Sequence, residues 1–103
     1  MTYTTEELLF ILISPKELKD DIVDLLMTMD KLTGFNLKVI NGYSKEHSCF
    51  SITEQVEGYR EFIQFEVLLK ATEKSALISH LMSVCQPAKL KYWFLPTIDS
   101  GHF

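Results

Sequence analysis

Hydrophobic and polar positions along the chain recur with two different periods, and each change of period marks a new strand or helix. The first pattern is a continuous apolar run, Leu8–Ile13 (LLFILI). A short run that is apolar on both faces is typical of a central strand that is covered on both sides. One layer of helices covers only one face of a sheet, so we expect a second subunit on the other face.

The next pattern has the period of an amphipathic helix. Ser14, Pro15 and Glu17 predict its start, because they form a side-chain cap and a capping box. Gly34 predicts its end in a left-handed conformation. The apolar stripe at i, i+4, i+7, i+8 and i+11 consists of Leu18, Ile22, Leu25, Leu26 and Met29.

Strict alternation, which is typical of half-buried strands, follows at Phe35–Ile40 and again at Arg60–Lys70. The apolar face of the first strand consists of Phe35, Leu37 and Val39, and that of the second consists of Ile63, Phe65, Val67 and Leu69. The connection between them exceeds the roughly 12–15 residues above which a loop is usually functional or disordered. We interpret it as a loop, as extended strand ends or as a projecting arm.

A second helix is predicted at Glu73–Cys85, with Thr72 as its cap and Pro87 beyond its end. Its buried stripe consists of Leu77, Ile78, Leu81, Val84 and Cys85. A last strand is predicted at Leu90–Ile98. Because Pro96 cannot donate a hydrogen bond to a neighbouring strand, we expect this strand to lie at an edge of the sheet or to end at this residue.

The predicted order β-α-β-β-α-β is that of the ferredoxin-like fold, an α+β fold in which two helices cover one face of a four-stranded antiparallel sheet. We expect one such domain over residues 1–103. The face without helices is normally exposed to water. Here its positions are apolar: Leu9, Ile11, Ile13, Phe62, Leu68 and Trp93. We therefore expect this face to be an interface.

Composition narrows the choice of partners. The formal net charge is −4, which argues against nucleic acid or an anionic membrane as partner. A local cluster of lysines in the second half is expected to be solvated: Lys70, Lys74, Lys89 and Lys91. The run Leu8–Ile13 is too short to insert into a membrane, and no basic segment precedes it, so we expect a cytoplasmic protein.

The sequence contains none of the motifs that mark common enzymes or metal sites. No GxSxG or HExxH motif is present, so we expect a protein that is not an enzyme. Cys49 and Cys85 do not form a CxxC motif, which argues against a zinc ribbon or a thioredoxin-type site.

Two stretches carry a family resemblance. The opening LLFILISPKELKDDIVDLL and the ending KYWFLPTIDSGHF resemble a small proteobacterial family of PII-like (nitrogen-regulatory-protein-like) proteins of unassigned function. The resemblance covers essentially the whole chain. The likeness to classical PII proteins lies at the level of the fold.

The resemblance implies a non-enzymatic signalling protein that forms a homotrimer, with the sheets packed around a threefold axis and clefts between subunits. Residues 42–59 would occupy the position of the arm by which PII proteins dock on transporters and enzymes. The resemblance also implies a link to metal tolerance, with a membrane transporter or heavy-metal efflux pump component as partner. The arm residues that would contact it are Tyr43, Lys45, Glu46, Phe50 and Tyr59.

One departure from the PII pattern concerns the cofactor. Classical PII proteins bind ATP with glycine-rich turns, because backbone N–H groups can cradle phosphate only where glycines permit close approach. The turn at Cys85–Lys91 has no glycine, and only Gly42 and Gly58 lie near the arm. We therefore do not expect ATP binding of the PII kind, and the effector is unknown.

A metal ion is a second possible ligand. His47 and Cys49 lie two residues apart beside Glu46, and in an extended segment their side chains point the same way. Imidazole and thiolate are natural ligands of Zn²⁺ and Cu⁺. Two ligands do not make a site, so neighbouring copies or other residues must supply the rest: His80, Cys85 or His102. The alternative is an ordinary polar loop.

The remaining candidate ligands have ordinary explanations. We expect His80 to be exposed, because it lies off the apolar stripe of the second helix, and Cys85 to be a small buried hydrophobic residue. Three functions stay open: a PII-like signalling protein, a metal-binding or metal-buffering protein that uses His47 and Cys49, and an amino-acid-sensing ferredoxin-like dimer.

Overall fold

The computed structural model describes residues 6–43 and 59–103. The order of elements in these residues is the predicted one. The strands are β1 (Glu7–Pro15), β2 (Asn36–Gly42), β3 (Arg60–Lys70) and β4 (Lys91–Pro96), and the α-helices are α1 (Lys19–Met27) and α2 (Lys74–Cys85). Short 3₁₀ turns, Lys16–Leu18 and Ala71–Glu73, precede the two helices.

The sheet has the strand order β2-β3-β1-β4, with all neighbours antiparallel. The apolar run Leu8–Ile13 therefore lies in a central strand, as predicted. Phe10 of β1 lies opposite Val67 of β3 and Phe94 of β4. β4 forms one edge of the sheet, as Pro96 indicated, and β2 forms the other.

The hydrophobic core lies between the sheet and the two helices. The apolar face of β3 is buried, as its alternation predicted, and each helix contributes buried residues from its predicted stripe. The core residues are Phe10, Leu12, Ile22, Leu26, Ile63, Phe65, Val67, Leu69, Leu77 and Leu81. This confirms the ferredoxin-like arrangement of a four-stranded sheet with helices on one face.

The predicted side-chain caps are wrong at both helices. Ser14 is fully buried within β1, opposite Ile63, and its hydroxyl donates to the carbonyl of Pro15 (2.7 Å). Pro15 itself is extended, and neither 3₁₀ turn nor α-helix has a side-chain cap, so Thr72 does not cap α2. An N-cap contributes only about 1 kcal/mol, and pairing with β3 outweighs it by drawing Ser14 into the strand.

The end of α1 also differs from the prediction. The helix ends at Met27, and Gly34 does not adopt a left-handed conformation. Instead, the hydroxyl of Thr28 donates to the carbonyl of Leu25 (2.8 Å). The last turn of the helix thus receives a side-chain donor, and the glycine is not needed to end it.

His80 is half-buried, and the prediction that it is exposed is wrong. Its Nε2 lies 2.7 Å from the carbonyl oxygen of Leu25 and 2.8 Å from Oγ1 of Thr28. A carbonyl only accepts, so Nε2 carries the proton and donates to it. His80 therefore ties α2 to the end of α1, where backbone carbonyls lack helical partners.

The edge strand β2 is less buried than its alternation predicted. Leu37 and Val39 lie on the helix side of the sheet, opposite Phe65 and Ile63, but they are 37% and 60% exposed. Only Phe35, just before the strand, packs against the core, with its ring centroid 6.4 Å from that of Phe65. The helices leave the outer strand largely uncovered.

Replacing His80 with alanine should lower the free energy of unfolding by about 1–2 kcal/mol, because the Leu25 carbonyl then loses a donor in a half-buried site. Urea unfolding at one fixed protein concentration measures the change. Ser79→Ala, at the exposed neighbouring position of α2, is the control and should leave the midpoint unchanged. Equal midpoints for both variants would contradict the role of His80.

Candidate functional site

The face of the sheet without helices carries a continuous apolar surface, which we call the open face. All six residues predicted for it lie there, and the register adds two more. It consists of Leu9, Ile11, Ile13, Ile40, Phe62, Leu68, Trp93 and Leu95. Leu68 is 38% exposed and Leu95 is 46% exposed. A surface of this kind, bounded by polar groups, is typical of an interaction site.

A polar cluster borders the open face on the side of β2. Nζ of Lys38 lies 3.0 Å from Oε1 of Glu66, and Nε2 of Gln64 donates to the same oxygen (3.1 Å). The hydrogen bond from Lys38, helped by that from Gln64, holds the pKa of Glu66 below its ordinary value against the effect of desolvation. The carboxylate therefore stays charged at neutral pH, and its charge is balanced locally by Lys38.

One end of the open face leads into a cavity of about 540 Å³, which we call the strand-end groove. Four strands and the α2–β4 turn contribute to its walls. Its aromatic residues are Tyr43, Phe62 and Trp93, and its cationic residues are Arg60, Lys89 and Lys91. The volume lies within the roughly 300–1,000 Å³ that is typical of small-molecule sites.

The cations of the groove lie against its aromatic rings. The guanidinium of Arg60 is 5.3 Å from the ring centroid of Phe62, and Nζ of Lys91 is 5.7 Å from that of Trp93. Arg60 also lies 4.0 Å from Oε2 of Glu17. No acidic side chain is among the lining residues within 6–43 and 59–103. The charged residues of the described lining are therefore all cationic, although the chain as a whole is acidic.

The base of the 42–59 arm adjoins the groove. Gly42 ends β2 opposite Arg60, and a Cβ atom added at Gly42 would lie 2.6 Å from the ring of Phe62. Glycine is required there by this close approach. The rings of Tyr43 and Tyr59 pack against each other across the base, with centroids 5.8 Å apart.

Most of the sequence-predicted site residues lie outside the described part of the chain. The arm positions Lys45, Glu46 and Phe50 and the candidate metal ligands His47 and Cys49 belong to residues 44–58, which the structure does not describe. Only Tyr43 and Tyr59 of the predicted arm contacts are described, and both lie at the arm base.

The other candidate metal ligands are not brought together. His80 is engaged in hydrogen bonds, and His102 is exposed beyond β4. Cys85 lines an apolar cleft of about 250 Å³ beside α2, and burial raises the pKa of its thiol. Within the described ranges, no three His, Cys, Asp or Glu side chains cluster in a way that would hold a metal ion.

The groove itself was not predicted from the sequence. Lys89 and Lys91 were expected to be solvated lysines, and both are exposed. Arg60 was expected only as the first residue of a strand. The three come from different elements, and no local spacing links them. In the sequence, the one local feature that distinguished this region was the absence of glycine from the α2–β4 turn, where classical PII proteins have a glycine-rich turn.

Comparison with known proteins gives the family. A family model described as a protein of unknown function (DUF3240) matches residues 4–103. The chain belongs to this family. A solved structure of a DUF3240 family protein from Shewanella baltica OS155 is 37% identical, with a TM-score of 0.80 over 98% of this chain and 99% of that chain. No match was found among curated proteins.

More distant structures show the fold that the DUF3240 chain shares with PII. PII of Arabidopsis thaliana, bound to citrate, has a TM-score of 0.68 at 10% identity, over 91% of this chain and 77% of that chain. A Bacillus cereus protein related to NIF3 has a TM-score of 0.69 at 12% identity, over 98% of this chain and 27% of that one. The predicted likeness to PII at the level of the fold is thereby confirmed. None of the helices in the described residues is long and apolar enough to cross a membrane.

Replacing Gly42 with alanine should lower the free energy of unfolding by about 1–3 kcal/mol, because the new methyl group overlaps the Phe62 ring. The loss should shrink in a Phe62→Leu background, where the ring is absent. Chemical unfolding of the single and double variants measures this coupling.

Gly34→Ala is the matched control for the change at Gly42. A Cβ atom at Gly34 meets nothing within 4 Å, and the residue is not left-handed. This variant should be neutral or slightly more stable. An equal loss at both glycines, or a loss at Gly42 that Phe62→Leu leaves unchanged, would contradict the close approach at the arm base.

Proposed function

We propose that this protein is a non-enzymatic, PII-like regulatory protein that forms a homotrimer. It binds a small effector in the strand-end groove, between copies, and transmits binding through residues 42–59 to a partner. The observation that carries the proposal is the position of the groove. Its walls include Phe62 and Trp93 of the open face and Gly42, Tyr43 and Arg60 at the arm base. An effector there contacts both surfaces at once.

The apolar character of the open face supports self-assembly. A stable interface buries about 800 Å² per partner, and a four-stranded sheet offers a broad surface for this purpose. The charges of Lys38 and Glu66 are paired within one protomer, so they can enter an interface without a charged residue of the neighbour. Around a threefold axis, each copy can bury part of this apolar face against a different part of the next copy, and the three contacts close into a ring.

Signalling requires two arm states with different affinity for the effector. The arm base is suited to this task because its parts fit closely. Gly42 has no space for a side chain beside Phe62, and the rings of Tyr43 and Tyr59 are packed together. A ligand that displaces Phe62 or Arg60 changes the path of the chain on both sides of the arm.

The family resemblance supports the choice of partner. PII proteins dock on transporters and enzymes through this arm, so we propose a membrane transporter or an efflux pump component that reads the arm from the cytoplasm. A small effector is in keeping with the citrate bound to the Arabidopsis PII protein.

Leu68→Lys should break the assembly, because it places a charge in the open face opposite Leu9. Native mass spectrometry of the wild-type protein should show a trimer, and the variant should show monomer. Val39→Lys is the matched control. Val39 is 60% exposed on the other side of the sheet, so this variant should remain trimeric.

Two results would contradict the proposed assembly. A Leu68→Lys protein with the wild-type mass would show that the open face is not the interface. A wild-type dimer would favour the amino-acid-sensing alternative.

The metal-binding alternative stays a prediction. Replacing His47 and Cys49 together with alanine should abolish stoichiometric binding of Zn²⁺ or Cu⁺, because these residues are the proposed ligands. Metal content after dialysis against each ion measures this. Ser83→Ala, at an exposed position of α2, is the control, since Ser83 is not among the candidate ligands. Unchanged stoichiometry in the double variant would exclude His47 and Cys49 as ligands.

A further inference from the structure

A second concave site lies on the helix side of the sheet, between the later part of α2 and the start of β4. We call this cavity of about 250 Å³ the α2–β4 cleft. Its floor is formed by the core residues Phe10, Leu12 and Leu81. Its outer walls include Met82 of α2 and Tyr92 of β4, which are 42% and 50% exposed. The cleft therefore leads from the surface onto the hydrophobic core.

The edge position of β4 leaves this cleft open. Tyr92 lies opposite Leu12, on the side of the sheet that the helices cover, yet half of it remains exposed. Protein interiors contain few voids larger than a water molecule, so an apolar cleft that reaches the core is unusual. Water on such a floor finds few polar partners, and an apolar ligand that displaces it gains affinity.

The chemistry of the lining favours an uncharged ligand. Lys89, which is exposed, is the one charged residue of the described lining. Burial raises the pKa of the Cys85 thiol, so this thiol stays protonated and uncharged at neutral pH. A ligand with a charge would lose water at the apolar floor, and this loss is costly.

The side chains of the cleft favour an aromatic ring. The ring centroids of Phe10 and Tyr92 lie 5.8 Å apart, with the ring planes tilted by 41°, and a further ring can pack against such a pair by its face or its edge. The thioether of Met82 also packs favourably against aromatic rings. An engineered apolar cavity of about 150 Å³ binds benzene, so a cleft of about 250 Å³ has room for one or two fused rings.

We propose that the α2–β4 cleft binds a small uncharged aromatic molecule of one or two fused rings, which lies between Met82 and Tyr92 above Phe10. The amide of Gln86 and the hydroxyl of Tyr92 are neutral hydrogen-bonding groups of the same lining. They suit a ligand with a single N–H or O–H group.

This site does not depend on the proposed function. It lies on the helix side of the sheet, and only Lys89 and Leu90 belong to the described linings of both the cleft and the strand-end groove. The open face and the arm base take no part in it.

Indole is the probe, because it has two fused rings, no charge and one N–H group. Isothermal titration calorimetry of the wild-type protein should show saturable binding of one indole per protomer. Indole-3-acetate, which adds a carboxylate to the same rings, should bind no more tightly. Alkylation of Cys85 by iodoacetamide, followed by peptide mass spectrometry, should slow about tenfold at an indole concentration of about ten times the Kd.

Met82→Trp tests the position of the ligand. The larger side chain occupies the cleft from its exposed wall, so the Kd for indole should rise by about tenfold or more. Ser83→Trp is the matched control, since it adds the same ring at an exposed neighbouring position outside the described lining. This control should leave the Kd unchanged.

Four results would overturn the inference. They are the absence of saturable indole binding, tighter binding of indole-3-acetate than of indole, an equal Kd in Met82→Trp and Ser83→Trp, and alkylation of Cys85 that saturating indole does not slow. The last two results would place indole elsewhere, for example on the apolar open face. The alkylation measurement uses the wild-type protein, so it decides the question even where Met82→Trp does not fold.

Discussion

The central strand β1 is apolar on both of its faces, and the two helices bury only one of them. Phe10 and Leu12 point into the core, whereas Leu9, Ile11 and Ile13 lie on the open face between Leu68, Trp93 and Leu95. The hydrophobic effect grows with the apolar area removed from water, and in a single protomer the apolar area of the open face remains exposed to water. Burial of the open face by other copies would remove this area from water, and the other features of the surface lie around this face.

The groove lies at one end of the open face, where the polar surroundings of the face change. The polar cluster of Lys38, Gln64 and Glu66 lies along the β2 side of the open face, where its charges balance one another. At the end of the face, the described lining of the groove holds cations and no acidic residue, although Arg60 lies 4.0 Å from Glu17, which is not part of that lining. The groove is thus the point at which apolar surface, cationic side chains and the arm base come together.

The fold could be predicted from the sequence because periodicity reflects burial over long segments. The alternation in β3 and the stripes of both helices were read correctly. Two of the predictions that failed, those for Ser14 and His80, depend on partners far away in the chain. Ser14 pairs with β3 instead of capping a helix, and His80 binds the carbonyl of Leu25, which lies 55 residues away.

The groove was missed for a related reason. Its cation Arg60 lies far from Lys89 and Lys91 in the sequence, and no local spacing reveals that the three line one cavity. The alternation in β2 did not reveal that the helices leave its outer positions exposed. Edge position is a property of the assembled sheet, and the sequence pattern of a single strand does not contain it.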